Sequence, residues 1–139
     1  MRTGTTRTGG CQCGAVRYQC ADTPLALYAC HCTECRRQSG SAFGLSYQVA
    51  RASFRLLQGA PGCWSRPTDS GGRLDCRFFP ACGTRLWHEA SPDAGTLTVK
   101  AGTLDRPVDL AEAIHIWTRS RLPGVAIPPD AAQFPGEPD

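Results

Sequence analysis

Three cysteines fall within one short stretch, Cys30-His31-Cys32-Thr33-Glu34-Cys35. The set joins an x-spaced pair, Cys30 and Cys32, to a CxxC pair, Cys32 and Cys35. A strand-to-helix turn can aim all three sulfurs at one point. Three thiolates and a vacancy make the composition of an open zinc site, whereas a fourth protein ligand makes a closed structural one. His31 is the nearest candidate for that fourth place. In an extended segment, however, its ring points away from the side that carries its two neighbours. Zinc(II) on three thiolates keeps a single net negative charge, so it is a modest Lewis acid and is matched to a soft incoming ligand such as another thiolate. Cys30, Cys32 and Cys35 are therefore expected to be the working metal centre.

Two further cysteine groups stand on either side in sequence. In Cys11-Gln12-Cys13-Gly14, residues two apart face the same way on an extended chain, so both sulfurs can meet one metal. Zinc–sulfur bonds of ~2.3 Å draw sulfurs to about 4 Å from one another, closer than full extension allows. The chain must bend, and Gly9, Gly10 and Gly14 give it that freedom. In Cys76-Arg77-Phe78-Phe79-Pro80-Ala81-Cys82-Gly83, the end resembles a zinc knuckle of the form CPxCG, with Phe79 in the first ligand position and only Cys82 left in the second. Cys20 and Cys63 are isolated and are read as core thiols. A redox role for the CxxC pair lacks the βαβ context such motifs need.

The elements that must position these groups are short. Residues 14–20 alternate Val16, Tyr18 and Cys20 against polar neighbours, as a strand does. Leu25 to Ala29 is an apolar run leading into the cysteine cluster. Strands are expected at Phe43 to Val49, Ser53 to Leu57, Trp64 to Arg66, Thr96 to Ala101 and Ala113 to Thr118. Arg73 to Phe79 and Thr84 to His88 form a hairpin around Pro80-Ala81-Cys82-Gly83. One helix is expected, from Thr33 to about Gln38, ending at Gly40. The sum is a mainly β fold of short antiparallel strands, with one short helix after the cysteine motif. With 139 residues and no linker or repeat, the chain reads as a single zinc-binding domain over 1–139. Its core spans about 9–121. The tail, 122–139, holds Pro123, Pro128, Pro129, Pro135 and Pro138, and is expected to be extended, pinned by Val125, Ile127 and Phe134, with its last few residues loose.

Charge and composition exclude several classes. The 15 basic and 12 acidic side chains leave a net charge of +3, and only Arg36-Arg37 adjoin. That is too dispersed for a nucleic-acid face, although a mildly basic pocket for an acidic small molecule is compatible with it. Nothing approaches the ~18–20 apolar residues of a membrane span. Met1 to Gly10 has no apolar run and so does not read as a secretory signal. Nine cysteines, an odd number, argue against a complete disulfide framework and for a reduced, cytoplasmic setting, where clustered cysteines mean metal more often than disulfides.

Gly10-Cys11-Gln12-Cys13-Gly14-Ala15-Val16-Arg17-Tyr18, the run from Cys30 to Phe43, the run from Arg77 to Thr84, and the late His115-Ile116-Trp117-Thr118-Arg119-Ser120 together resemble the glutathione-dependent formaldehyde-activating enzyme family, which includes centromere protein V-like proteins. The resemblance spans about Gly9 to Phe134. It implies a β-tent-like fold with two zinc sites. The functional zinc maps onto Cys30, Cys32 and Cys35. A structural zinc maps onto Cys11, Cys13 and Cys82, with its fourth position taken by Phe79, which cannot bind metal. Cys76, Cys63, His88 or water are the substitutes to consider; without metal, Phe79 would fill the space among three thiols.

The same resemblance implies glutathione as the incoming thiol and formaldehyde as a small electrophile. The reaction would be formation and cleavage of S-hydroxymethylglutathione, a carbon–sulfur lyase chemistry. Glutathione carries two carboxylates, for which Arg36 and Arg37 are the natural partners, with Ser39 in the following Gln38-Ser39-Gly40-Ser41 as a hydrogen-bonding group. Glu34 is either a proton-transfer group or a surface residue. The alternatives are a non-catalytic zinc module that binds glutathione or another small thiol, and an enzyme of the same scaffold with a different substrate. Homodimer formation is left open.

Overall fold

The computed structural model describes residues 6–138. Met1 to Thr5, the start of the segment read above as lacking an apolar run, and Asp139 lie outside the described residues. Ten strands and one α-helix follow in the order β1 (Thr6–Gly10), β2 (Arg17–Ala21), β3 (Ala26–Cys30), α1 (Thr33–Ser39), β4 (Gly44–Ala50), β5 (Arg55–Gln58), β6 (Gly62–Pro67), β7 (Arg73–Phe78), β8 (Arg85–Ser91), β9 (Thr96–Lys100) and β10 (Ile114–Ile116). The strands form a three-stranded sheet, β1-β2-β5, and a seven-stranded sheet, β10-β3-β4-β9-β8-β7-β6. All named pairs are antiparallel except β10 with β3. The mainly β expectation and the short helix both hold.

The core lies between the two sheets and follows from alternation. Tyr18 and Cys20 of β2, Tyr47 and Val49 of β4, and Leu97 and Val99 of β9 are all buried, each two apart on its strand. Tyr18 stacks on Phe54, and both rings meet Trp87 of β8. Its hydroxyl reaches Thr103 Oγ1 at 2.6 Å, so the buried phenol is satisfied.

The reading missed β1, whose Thr-Arg-Thr-Gly-Gly has no apolar pattern and lies at the edge of its sheet beside β2. Cys63 also departs from expectation. It is exposed on β6, the last strand of the large sheet, whereas Cys20 is fully buried. The tail is irregular and free of helix, but it is held further than expected. Ala132 accepts from the His115 amide at 2.9 Å, Phe134 donates to His115 at 2.9 Å, and Gly136 accepts from Trp117 at 3.0 Å. Among the described residues no helix is long and apolar enough to cross a membrane.

Candidate metal centre and its cleft

β3 ends at Cys30, and Cys32 caps the N-terminus of α1, where its sulfur accepts from the Cys35 amide at 3.4 Å. One helical turn then brings Cys35 back over the same point. Gly40 closes the helix in the left-handed region, at φ 60°, and its N–H bonds back to Arg36 and Arg37. The sulfurs of Cys30, Cys32 and Cys35 all lie within 4.8 Å of one another. That spacing and the all-sulfur donor set fit a tetrahedral zinc with one position open.

His31 is fully buried, with its ring turned to the other side. Its Nε2 stands 3.0 Å from His115 Nδ1, and its ring packs on Phe43 at 5.0 Å between centroids. Burial holds both imidazoles below their ordinary value, so the pair is neutral, one nitrogen donating and the other accepting. The contact runs from β10 to the residue between two cluster cysteines and fixes the loop from behind.

The three thiols compete for charge. Hydrogen bonds from Cys30 and Cys35, then the amides of Cys35 and Glu34, pull Cys32 well down. The same bonds, seen from the donor side, push Cys30 up. One thiolate is therefore stabilised at the expense of its neighbours, and a bound cation is what permits all three to ionise.

A cleft of about 370 Å³ opens beside Cys35, walled by Glu34, Arg37, Arg66, Arg85, His88 and Lys100 among others. Four cations thus face one carboxylate. Lys100, at the end of β9, is only 7% exposed and has no ion pair or hydrogen-bond partner among the described residues. Burial draws its ammonium below the usual lysine range, and the nearby Cys35 and Cys30 draw it back up. Arg85 Nε donates to His88 Nε2 at 3.2 Å, and its guanidinium lies over Trp64 at 5.7 Å. Burial, with Lys100, Arg85 and Arg66 around it, pushes His88 down to about 3. His88 is therefore neutral, and because Nε2 accepts, its proton sits on Nδ1.

A second cleft, of about 360 Å³, shares Gln38, Arg85 and Lys100 with the first and reaches Gly83 and Thr84. Both polar atoms of the Gln38 amide are buried without a partner. Such groups on a wall common to two clefts are unusual outside binding sites.

Of the residues singled out for glutathione, Arg37 lines the first cleft and Ser39 the second. The Ser39 hydroxyl already donates to the Cys35 carbonyl at 2.7 Å. Arg36 lies instead in a shallower depression with Thr33, Gly40 and Ser41, its Nε buried and unpartnered. Glu34 is exposed at the cleft mouth. The sequence reading passed over Arg66, Arg85 and Lys100, and weighed His88 only as a ligand for the other cysteine group. The signal was present in β9, where Leu97 and Val99 take the core and Thr98 and Lys100 are left facing the cleft.

The second cysteine group also assembles. The sulfurs of Cys11, Cys13 and Cys82 lie within 4.8 Å of one another, with Cys11 and Cys13 at 3.6 Å. The Val16 amide donates to Cys11 Sγ at 3.2 Å, and Thr84 Oγ1 stands 3.2 Å from Cys82 Sγ. The Thr84 hydroxyl and amide hold Cys82 down at about 6. The knuckle turn keeps its form without its first cysteine: Gly83, at φ 81°, donates to Phe79 O at 2.7 Å, and Phe79 donates to Thr84 O at 3.0 Å. None of the substitute residues joins the group. Cys76 is fully buried in register with Trp64 and His88, Cys63 is exposed on β6, and His88 lines the cleft of the other cluster.

A family profile described as glutathione-dependent formaldehyde-activating enzyme matches residues 6–120. Among solved structures, the crystal structure of a Rhodobacter sphaeroides protein, 22% identical, superposes with a TM-score of 0.60 over 78% of this chain and 98% of its own. At that identity the likeness speaks for the fold.

Proposed function

The chain belongs to the glutathione-dependent formaldehyde-activating enzyme family, and from that premise we propose that it is a zinc-dependent carbon–sulfur lyase that forms and cleaves S-hydroxymethylglutathione. The observation that carries this reading is the position of the cysteine cluster. Cys35 opens onto a cleft with four cations and one carboxylate, the complement of a thiol that bears two carboxylates.

Cys30, Cys32 and Cys35 would hold the zinc, which when bound favours the ionised form of an entering thiol. Arg37 and Arg66 at the cleft wall bind the carboxylates and orient the sulfur toward Cys35. Arg85 is positioned by His88 and Trp64, so its charge is aimed before ligand arrives. In the forward direction the sulfur attacks the carbonyl carbon of formaldehyde. A carbon–sulfur bond forms, the carbonyl π pair moves to oxygen, and that oxygen takes up a proton. Lys100, unpaired and buried beside the cluster, stabilises the charge that develops there. In the reverse direction the hydroxyl loses its proton, the carbon–sulfur bond breaks, and the sulfur leaves as thiolate.

Formaldehyde and thiols also combine without a catalyst, so the test must measure acceleration. Exchange between formaldehyde and its glutathione adduct, followed by NMR, is expected to quicken with the wild-type protein. With Cys32→Ala it should return to the uncatalysed rate. Equal rates with and without wild-type protein would reduce the role to carriage of glutathione.

A further inference from the structure

The group Cys11, Cys13 and Cys82 has a feature that its sequence motif does not convey: it is a three-sulfur site that is complete on its inner side and open on its outer side. Inside, Cys11 is buried and bonded to the Val16 amide, and Cys82 is braced by Thr84, whose hydroxyl also accepts from the Gln12 amide at 3.0 Å. Outside, Cys13 is exposed. Among the described residues, no histidine, carboxylate or further cysteine comes within the same reach. Phe79 holds the first knuckle position, and its side chain packs against the hydrophobic core.

Two consequences follow. The knuckle turn is held by its own backbone bonds and by the packing of Phe79, so it does not depend on a metal to form. The donors that stabilise thiolates nonetheless remain in place around the three sulfurs. We propose that this cluster is a second, exchangeable metal site, in which Cys11, Cys13 and Cys82 hold a soft divalent cation such as zinc and the solvent-side fourth position takes a small exogenous thiol. A site closed by four cysteines sequesters its ion and resists substitution. Three thiolates with an open face leave the ion accessible to an entering sulfur, which gives up its proton to solvent as it binds.

The test uses the full chain, stripped of metal and reloaded with zinc, in three forms: wild type, Cys13→Ser and Phe79→Cys. Zinc content and transfer to a chromophoric chelator are measured, and the cobalt-loaded proteins are titrated with 2-mercaptoethanol. Wild type is expected to take up a zinc equivalent that Cys13→Ser lacks. Phe79→Cys supplies the missing ligand. It should keep that equivalent but release it more slowly than wild type, by about tenfold or more, at least the effect of losing an outer-sphere partner on metal affinity. The thiol should change the sulfur-to-cobalt absorption more in wild type than in Phe79→Cys. Equal zinc content in wild type and Cys13→Ser would overturn the proposal, as would equal release rates and equal thiol responses in wild type and Phe79→Cys. Should Phe79→Cys fail to fold, Cys13→Ser decides. Cys13 is exposed, so its loss leaves the core intact, and a thiol response unchanged in that variant would also overturn the proposal.

Discussion

A lysine only 7% exposed and without an ion pair, as Lys100 is, costs folding free energy and persists only where it has work to do. That reasoning separates a structural role from a functional one. Lys100→Met keeps the length of the side chain and removes the buried charge. It is expected to leave the melting temperature unchanged or raised, while catalysed exchange between formaldehyde and its glutathione adduct, followed by NMR, slows by about 10- to 100-fold, the worth of one charge-assisted hydrogen bond. A fall in stability with an unchanged exchange rate would show that Lys100 is structural. His88 offers a second test through pH. Its folded value of about 3 lies below the ordinary histidine value of 6.5, so the unfolded chain binds the extra proton first as pH falls. Its contribution is complete above pH 6.5 and is lost progressively from there toward pH 3. At pH 5 the loss should reach about 2 kcal/mol. Denaturant titrations of wild type and His88→Gln at pH 7 and pH 5 should show the wild type losing more by that amount; acid release of zinc affects both and cancels. At this scale the cysteines were legible in sequence because their spacing is their geometry. Lys100, Arg85 and His88 were not, because a strand residue's partners lie on other strands.

The elements show why the two cysteine groups form at all. Each sits where a strand stops: Cys30 at the end of β3, and Cys11 one residue after β1. The helix was readable from its left-handed glycine stop and its following polar turn, and it closes at Gly40 as expected. The hairpin of β7 and β8 was readable from the knuckle, although a register shift at Arg77 and Phe78 was not. Pairing order was beyond reach: nothing local tells β9 to lie between β4 and β8, yet that placement puts Lys100 in register with Ser46 and beside the α1 cysteines. The turn between β5 and β6 makes this dependence testable. Gly59 has φ 91°, and a Cβ there would meet Ala15 O at 2.5 Å, within the loop that carries Cys11 and Cys13. Gly59→Ala is expected to cost about 1–3 kcal/mol by thermal or denaturant unfolding. An unchanged midpoint would mean that the loop is not held against this turn.

Across the whole molecule, the support for the working cluster comes from its most distant segment in sequence. β10 is the edge strand that pairs with β3, and His115 on it fixes His31 between two cluster cysteines. β10 is in turn covered by the tail. Five backbone bonds join His115 to Arg119 with Ala132 to Gly136, and Trp117, in the left-handed conformation at φ 57°, turns the chain so that Thr118 and Arg119 reach their acceptors. The proline-rich composition foretold an extended tail. It did not foretell that the tail is a brace, because an irregular segment carries no periodicity to mark its partner. Removing residues 122–139 should therefore act at the cysteines as well as on stability. Loss of these bonds, worth about 0.5–1.5 kcal/mol each, is expected to lower stability by about 2.5–7.5 kcal/mol. It should also speed release of zinc from Cys30, Cys32 and Cys35 to a chelator, since the His31–His115 contact loses its backing. The chelator assay on the truncated Cys13→Ser chain isolates that cluster. A truncated chain that melts lower but releases zinc at the full-length rate would confine the tail to stability and separate it from the site.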